Sequence, residues 1–256
     1  MQTYKITIAY DGTAYFGWQM QPQQRTVQQT LQETYVRIFA EQITLIGASR
    51  TDGGVHALGH VATFDTRRTV EPRKLIEAWN NMLPKDIMIR SIEAVPDSFH
   101  PQYCVSSKTD WYHFTLKRPL PFVQRYCWWV MTEPDLQVFE QALQIFKGTH
   151  DFRSFCTGDE QENTVRTIED ISLEYIPHLA LYRVSVKGPG FLRYMIRRIV
   201  GACMDVASRA DLSVESLQQV LAEKNPRQAL LNAPAQGLVL RKIVYKKGIQ
   251  HESKSE

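Results

Sequence analysis

The sequence predicts an α+β fold of two ferredoxin-like (RRM-like) halves that share a mostly antiparallel central sheet. Element order carries the prediction. Up to Val95, runs of alternating and of helical periodicity follow one another as strand, helix, two strands, helix, strand, the order of a ferredoxin-like unit. From about Phe99 the pattern restarts with no flexible linker between. No short repeat relates the halves, so the duplication is read from element order alone. The expected division is an N-terminal half over 1–98, a C-terminal half over 99–246 and a polar, frayed tail over 247–256.

In the N-terminal half, residues 4–10 (Tyr-Lys-Ile-Thr-Ile-Ala-Tyr) alternate as a strand does. Asp11-Gly12-Thr13 breaks that strand, and Tyr15-Phe16-Gly17-Trp18-Gln19 forms an aromatic loop. For such a cluster packing outranks binding, because aromatics dominate contact area wherever they lie. Thr26 is the N-cap of a helix to about Ala40, with Val27, Leu31, Thr34, Tyr35 and Ile38 on its buried face. Runs at 43–46 and 61–64 are short strands. Glu71-Pro72 opens a second helix, with proline tolerated in its first turn, and Pro84 stops it. Residues 87–95 make a further strand.

In the C-terminal half, 105–116 reads as a long strand, followed by a proline-punctuated loop and the apolar stretch 126–130. A helix over 134–146 carries Leu136, Phe139, Leu143 and Phe146 on one stripe. Residues 168–176 and 181–187 form a strand pair, and Gly188-Pro189-Gly190 leads into a helix over 191–208. A helix over 212–223 and a strand over 238–245 close the pattern.

Composition is ordinary for a globular chain, with 43% hydrophobic and 22% charged residues. A net charge of +3 permits an anionic partner without demanding one. The four cysteines (Cys104, Cys127, Cys156, Cys203) are far apart and form no Cys-x-x-Cys pair, which argues against a zinc site or disulfide framework. They read as small buried hydrophobes of a reducing, cytoplasmic compartment. The start, Met-Gln-Thr-Tyr-Lys-Ile, has no basic-then-apolar leader, and no apolar run approaches the ~20 residues needed to span a membrane.

Chemistry concentrates at residues 49–60, Ser-Arg-Thr-Asp-Gly-Gly-Val-His-Ala-Leu-Gly-His, between two predicted strands. Asp-Gly-Gly alone is a turn signal. A turn requires neither Arg50 two residues before Asp52 nor His56 and His60 after it. A neighbouring guanidinium keeps a carboxylate ionised and aims it, as a nucleophile requires. His56 and His60 are equally readable as donors to a ligand or as packing for the turn, and neither is assigned a catalytic role.

The stretch Arg50-Thr51-Asp52-Gly53-Gly54-Val55-His56-Ala57 closely resembles the catalytic motif of tRNA pseudouridine synthases of the A type. Further fragments carry the resemblance over nearly the whole chain. They include Tyr10-Asp11-Gly12, Gly17-Trp18-Gln19, Leu83-Pro84, Phe99-His100, His150-Asp151-Phe152, Arg166-Thr167-Ile168, Met195 with Arg197, Val200-Gly201 and Ala233-Pro234-Ala235. The resemblance implies the pseudouridine synthase fold and isomerisation of uridine at about positions 38 to 40 of the tRNA anticodon stem-loop. It implies Asp52 as the catalytic carboxylate and nucleophile, Arg50 and Arg197 as assisting groups, a homodimer acting on tRNA, and no metal or other cofactor. Guanidinium stays charged, so either arginine holds Asp52 ionised or grips a phosphate. Whether Asp52 adds to the base or to the sugar is open. Arg193 and Arg197 stand at i, i+4 on the predicted helix, but only Arg197 matches the family pattern.

One position departs from that pattern. On the strand after Phe99-His100 the family carries a tyrosine against the target uracil, and ungapped counting places Asp110 there. Alternation puts Tyr112 on the same face as Asp110 and Trp111 on the other. An active enzyme would then take its ring from Tyr112, or from Trp111 through a bulge. The alternative is a catalytically impaired tRNA-binding paralogue. A carboxylate-pair glycoside hydrolase is a third reading, whose second acid only Asp110 supplies. Lys5, Arg25, Arg67, Arg68, Arg73, Lys74, Lys187 and Arg198 are candidates for a basic RNA groove, and Trp128-Trp129 for either core or interface.

Overall fold

The computed structural model describes residues 1–69, 71–157 and 163–246; the tail expected over 247–256 lies outside them. The chain is α+β and forms two compact units. The first is Met1–Ser106 together with the chain from Leu240, the second Ser107–Val239. The division therefore falls eight residues later than the expected 98/99 boundary, and most of the closing strand Leu238–Tyr245 is grouped with the first unit rather than the second. Among the described residues no helix is long and apolar enough to cross a membrane.

The first unit runs β1 (Gln2–Tyr10), α1 (Val27–Phe39), β2 (Ile46–Gly47), β3 (His56–Thr66), α2 (Pro72–Met82) and β4 (Ile87–Val95). Its sheet has the order β4-β1-β3 followed by the closing strand, with β1 antiparallel to both β3 and β4. The Thr26 hydroxyl caps α1 by accepting from the Gln29 amide. Tyr35, Phe64 and Trp79 meet in the core at centroid distances of 5.0–5.5 Å. Burying each such ring contributes roughly 2–3 kcal/mol by apolar area.

The strand expected over 43–46 shrinks to two residues, because α1 side chains satisfy its backbone instead of a ladder. Gln28 Nε2 donates to the Leu45 carbonyl (2.8 Å) and the Leu45 amide donates to Gln32 Oε1 (2.9 Å). The strand expected over 61–64 extends instead to the eleven residues of β3.

The second unit contains β5 (Val105–Thr115) from Ser107 onward, β6 (Trp128–Trp129), α3 (Leu136–Gln144), β7 (Gly148–Asp151), β8 (Val165–Ile168), β9 (Asp170–Ile176), β10 (Leu181–Gly188), α4 (Met195–Ser208) and α5 (Val214–Glu223). Its sheet order is β5-β10-β9, antiparallel throughout, with β6 alongside β5 in parallel. The β7–β8 ladder is a separate pair that periodicity did not indicate. Helix α4 starts four residues later than expected, because Tyr194 takes a left-handed conformation (φ 63°) that no helix interior accepts. Cys127, Cys156 and Cys203 are buried and all four cysteines are free.

Candidate active site

The site is best built from the turn that carries Asp52. The Val55 amide donates to the Asp52 carbonyl (3.1 Å), closing a four-residue turn. Gly54, its third residue, has φ 79°, the type II requirement that favours glycine. Asp-Gly-Gly thus makes the turn that its composition predicts, and Asp52 is its first residue.

The preceding loop holds this turn in place. The Gly54 amide donates to the Tyr15 carbonyl and the Trp18 amide to the Thr51 carbonyl, each at 3.1 Å. A β-carbon on Gly12 would strike the Val55 carbonyl, and one on Gly17 the Thr51 carbonyl. The Tyr10 hydroxyl meets Thr51 Oγ1 (2.8 Å) and His60 Nδ1 (3.0 Å). The Gly12 amide donates to His56 Nδ1 (3.0 Å), and Asp11 Oδ1 lies 3.1 Å from the same nitrogen. One nitrogen faces a donor and an acceptor, so the tautomer with a bare Nδ1 serves the amide and the tautomer with Nδ1–H the carboxylate.

Both histidines are buried, with the His60 ring 3.9 Å from Trp18. Of the two readings open for them, packing behind the turn is the one the geometry supports. The aromatic loop behaves likewise: Tyr15 and Trp18 are buried, and only Phe16 projects.

Asp52 is half-buried at this turn. Arg50 is exposed and, among the described residues, makes neither hydrogen bond nor ion pair. The expectation that Arg50 pairs with Asp52 is therefore not met. Its backbone lies before the turn, and its guanidinium is available to a phosphate.

In the second unit, β5 pairs with β10 over seven consecutive positions, Phe114 with Tyr182 through Lys108 with Gly188, with no register shift. No bulge moves Trp111, whose ring is on the face opposite Asp110 and lies 3.8 Å beneath the Arg183 guanidinium. Tyr112 does share the face of Asp110, but that face is the core. Its side chain is fully buried, its hydroxyl donates to the Pro234 carbonyl (2.8 Å), and Gly237 packs against its ring. The expectation that Tyr112 presents a ring to substrate is corrected: strand alternation found its face, and the helices covering that face took the ring.

Asp110 and Lys108 precede Tyr112 on this row of β5, where both are only half-buried. The Oδ1 atom of Asp110 is buried without a hydrogen-bond partner among the described residues. Burial raises the Asp110 pKa to about 7, and the nearby Lys108 ammonium opposes that rise only in part. Burial in turn pulls Lys108 below the ordinary lysine value.

Arg197 lies in the first turn of α4. Its Nε donates to the Ala233 carbonyl (2.7 Å), while the Ala233 amide donates to the Arg197 carbonyl (3.1 Å). A β-carbon on Gly201 would strike the Leu231 carbonyl. Sequence fragments 30 to 36 residues apart, around Arg197 and Gly201 and around Leu231 and Ala233, are thus clasped together. Arg193 precedes the helix instead of lying on it, and both guanidiniums approach the Tyr194 ring, at 4.9 and 5.2 Å.

Most of the cations proposed for an RNA groove have acidic partners: Lys5 with Glu93, Arg25 with Asp86, Arg68 with Glu41, Arg73 with Glu77, Lys74 with Glu71 and Lys187 with Glu169. Arg198 donates to the Cys156 carbonyl (3.0 Å). A groove of about 610 Å³ in the first unit, lined by Arg25, Glu33, Arg37 and Leu83 among others, includes neither Arg50 nor Asp52.

Comparison with known proteins agrees with these fragments. A family model described as tRNA pseudouridine synthase matches residues 6–104 and 142–246. The chain is 38% identical over 255 residues to tRNA pseudouridine synthase A of Thermodesulfovibrio yellowstonii, covering 96% of this chain and 100% of the relative. It is 40% identical over 251 residues to tRNA pseudouridine synthase A 1 of Protochlamydia amoebophila, covering 96% and 97%. For tRNA pseudouridine synthase A of Aquifex aeolicus the identity is 36% over 245 residues, covering 95% and 100%. A turn built to hold one carboxylate, and relatives matched along almost their whole length, lead to one assignment: this chain belongs to the tRNA pseudouridine synthase family of isomerases.

Proposed function

We propose that the chain isomerises uridine to pseudouridine at about positions 38 to 40 of the tRNA anticodon stem-loop, with Asp52 as the attacking carboxylate. The observation that carries this is the turn at Asp52, pinned by backbone bonds to the Tyr15 carbonyl and from the Trp18 amide so that one acid is held half-exposed in a fixed place. The N1–C1′ bond breaks, a C5–C1′ bond forms, the proton on C5 is released and N1 takes one up. Oxidation state is unchanged, so the reaction calls for no redox group. The target nucleotide leaves the stack before its glycosidic bond is reached.

In this reading Arg50 grips a phosphate and Arg197 assists through its fixed charge. Asp110 contacts the base, offering an O–H donor in the fraction that is protonated near neutrality. The protein works as a cytoplasmic homodimer without cofactor. Mapping pseudouridine in tRNA incubated with wild type and with Asp52→Ala tests the proposal. Modification by wild type that vanishes in Asp52→Ala is expected; modification that survives the substitution overturns Asp52 as the essential group.

A second reading, a tRNA-binding paralogue with impaired catalysis, is favoured by one observation. Neither ring next to Asp110 on β5 replaces the family tyrosine, since Tyr112 is core and Trp111 is stacked under Arg183. A wild type inactive until Asp110→Tyr restores turnover would establish it.

A further inference from the structure

Residues 111–132 contain Lys117, Arg118 and Arg125 and no aspartate or glutamate. Within this stretch the loop after β5 exposes an unusual set of side chains: Phe122 is 73% exposed, Leu120 52% and Tyr126 37%. Lys117, Arg118 and Arg125 are exposed beside them. Lys117 and Arg118 make no ion pair among the described residues, unlike most cations named above.

The loop is nonetheless well held. Val123 and Cys127 are buried against Ile176 and Leu181. Backbone bonds join Val123 and Gln124 to the Leu120 carbonyl (2.9 and 3.0 Å) and Tyr126 to that of Val123 (2.9 Å). Gln236 Nε2 donates to the Cys127 carbonyl (2.9 Å), and Pro119 and Pro121 restrict the backbone further. Phe122 is therefore a ring displayed in water by a loop that Val123 and Cys127 anchor in the core beneath it.

We infer that the 117–126 loop is an RNA-docking surface, on which Lys117 and Arg118 hold phosphates and Phe122 stacks on an unpaired base outside the reacting nucleotide. An exposed ring such as Phe122 beside cations without an acidic partner among the described residues, Lys117 and Arg118, is the pairing that single-stranded RNA recognises, through stacking on one side and phosphate neutralisation on the other. Charge decides against a second copy of this chain as occupant. A two-fold contact through this face would set three cations against the same three with no acid from the stretch between them. The inference rests on the proposed tRNA substrate and extends it to a surface that no catalytic residue occupies.

The test is tRNA binding, followed by salt titration, with Lys117→Gln/Arg118→Gln and with Phe122→Ala, alongside pseudouridine formation by each protein. The double variant is expected to weaken tRNA binding about tenfold and to flatten the slope of log affinity against log salt by roughly 2, one per lost phosphate contact. Phe122→Ala is expected to weaken binding about five- to a hundredfold, with the rate at saturating tRNA unchanged. Wild-type affinity and slope in both variants overturn the surface. So does Phe122→Ala that converts a dimer to a monomer in sedimentation while tRNA binding holds, which would assign the face to a second copy. A wild type that binds tRNA but forms no pseudouridine defeats the catalytic reading and leaves the binding comparison to judge the loop.

Discussion

Gly17 lies against the carbonyl of Thr51 so closely that no β-carbon fits between them, and its φ of 89° is one that side chains rarely adopt. The loop of buried aromatics and the turn presenting Asp52 are thereby locked into one piece, with the neighbouring Trp18 amide donating to that same carbonyl. Gly17→Ala is expected to cost at least about 2 kcal/mol, from strain and from displacement of the turn. Denaturant midpoints measure the stability loss. Turnover should fall further than the folded fraction does, because the displaced backbone leads directly into Asp52.

Arg50 provides a contrasting case. It is exposed and makes no ion pair among the described residues, so Arg50→Gln should alter stability by less than about 0.5 kcal/mol. If it grips a phosphate, KM for tRNA rises about tenfold or more, as for loss of a charged hydrogen bond, while kcat stays within about twofold. A fall in kcat with KM unchanged would return Arg50 to holding the charge of Asp52.

Asp110 makes stability depend on pH. Its folded-state pKa, raised by burial to about 7, lies above the ordinary 3.8. The folded state therefore binds the proton more tightly, and this group's contribution is complete below about pH 4, declines as pH rises towards 7 and is gone above it. Asp110→Asn removes the dependence. Denaturant midpoints should show the variant gaining on wild type between pH 4.5 and 7.5, and parallel curves would refute the buried, neutralised acid.

Tyr112→Phe tests the reassignment of that ring to the core. It deletes the hydroxyl that donates to Pro234 at 2.8 Å and leaves a buried carbonyl without that donor. A stability loss of about 1–2 kcal/mol is expected, with kcat and KM for tRNA unchanged. Loss of turnover in a fully folded variant would restore Tyr112 to the substrate.

Where local chemistry dictated the outcome, the sequence was sufficient. Strand β4 and the closing strand fall where alternation put them, α1 starts at its Thr26 cap, and the turn at Asp52 follows from Gly54 needing positive φ. The family was legible for the same reason: a turn, a cap and a close backbone approach each demand particular residues at short range. Periodicity names the two faces of β5 but not what covers each, so the burial of Tyr112 and the orphaned oxygen of Asp110 awaited packing by residues distant in the chain. The same holds for charge. Lys5 and Lys117 look alike in sequence, yet one meets Glu93, 88 residues away, and the other meets no acid among the described residues. Backbone conformation is set largely by neighbours along the chain. Burial and ion pairing are set by neighbours in space, and those only the tertiary structure chose.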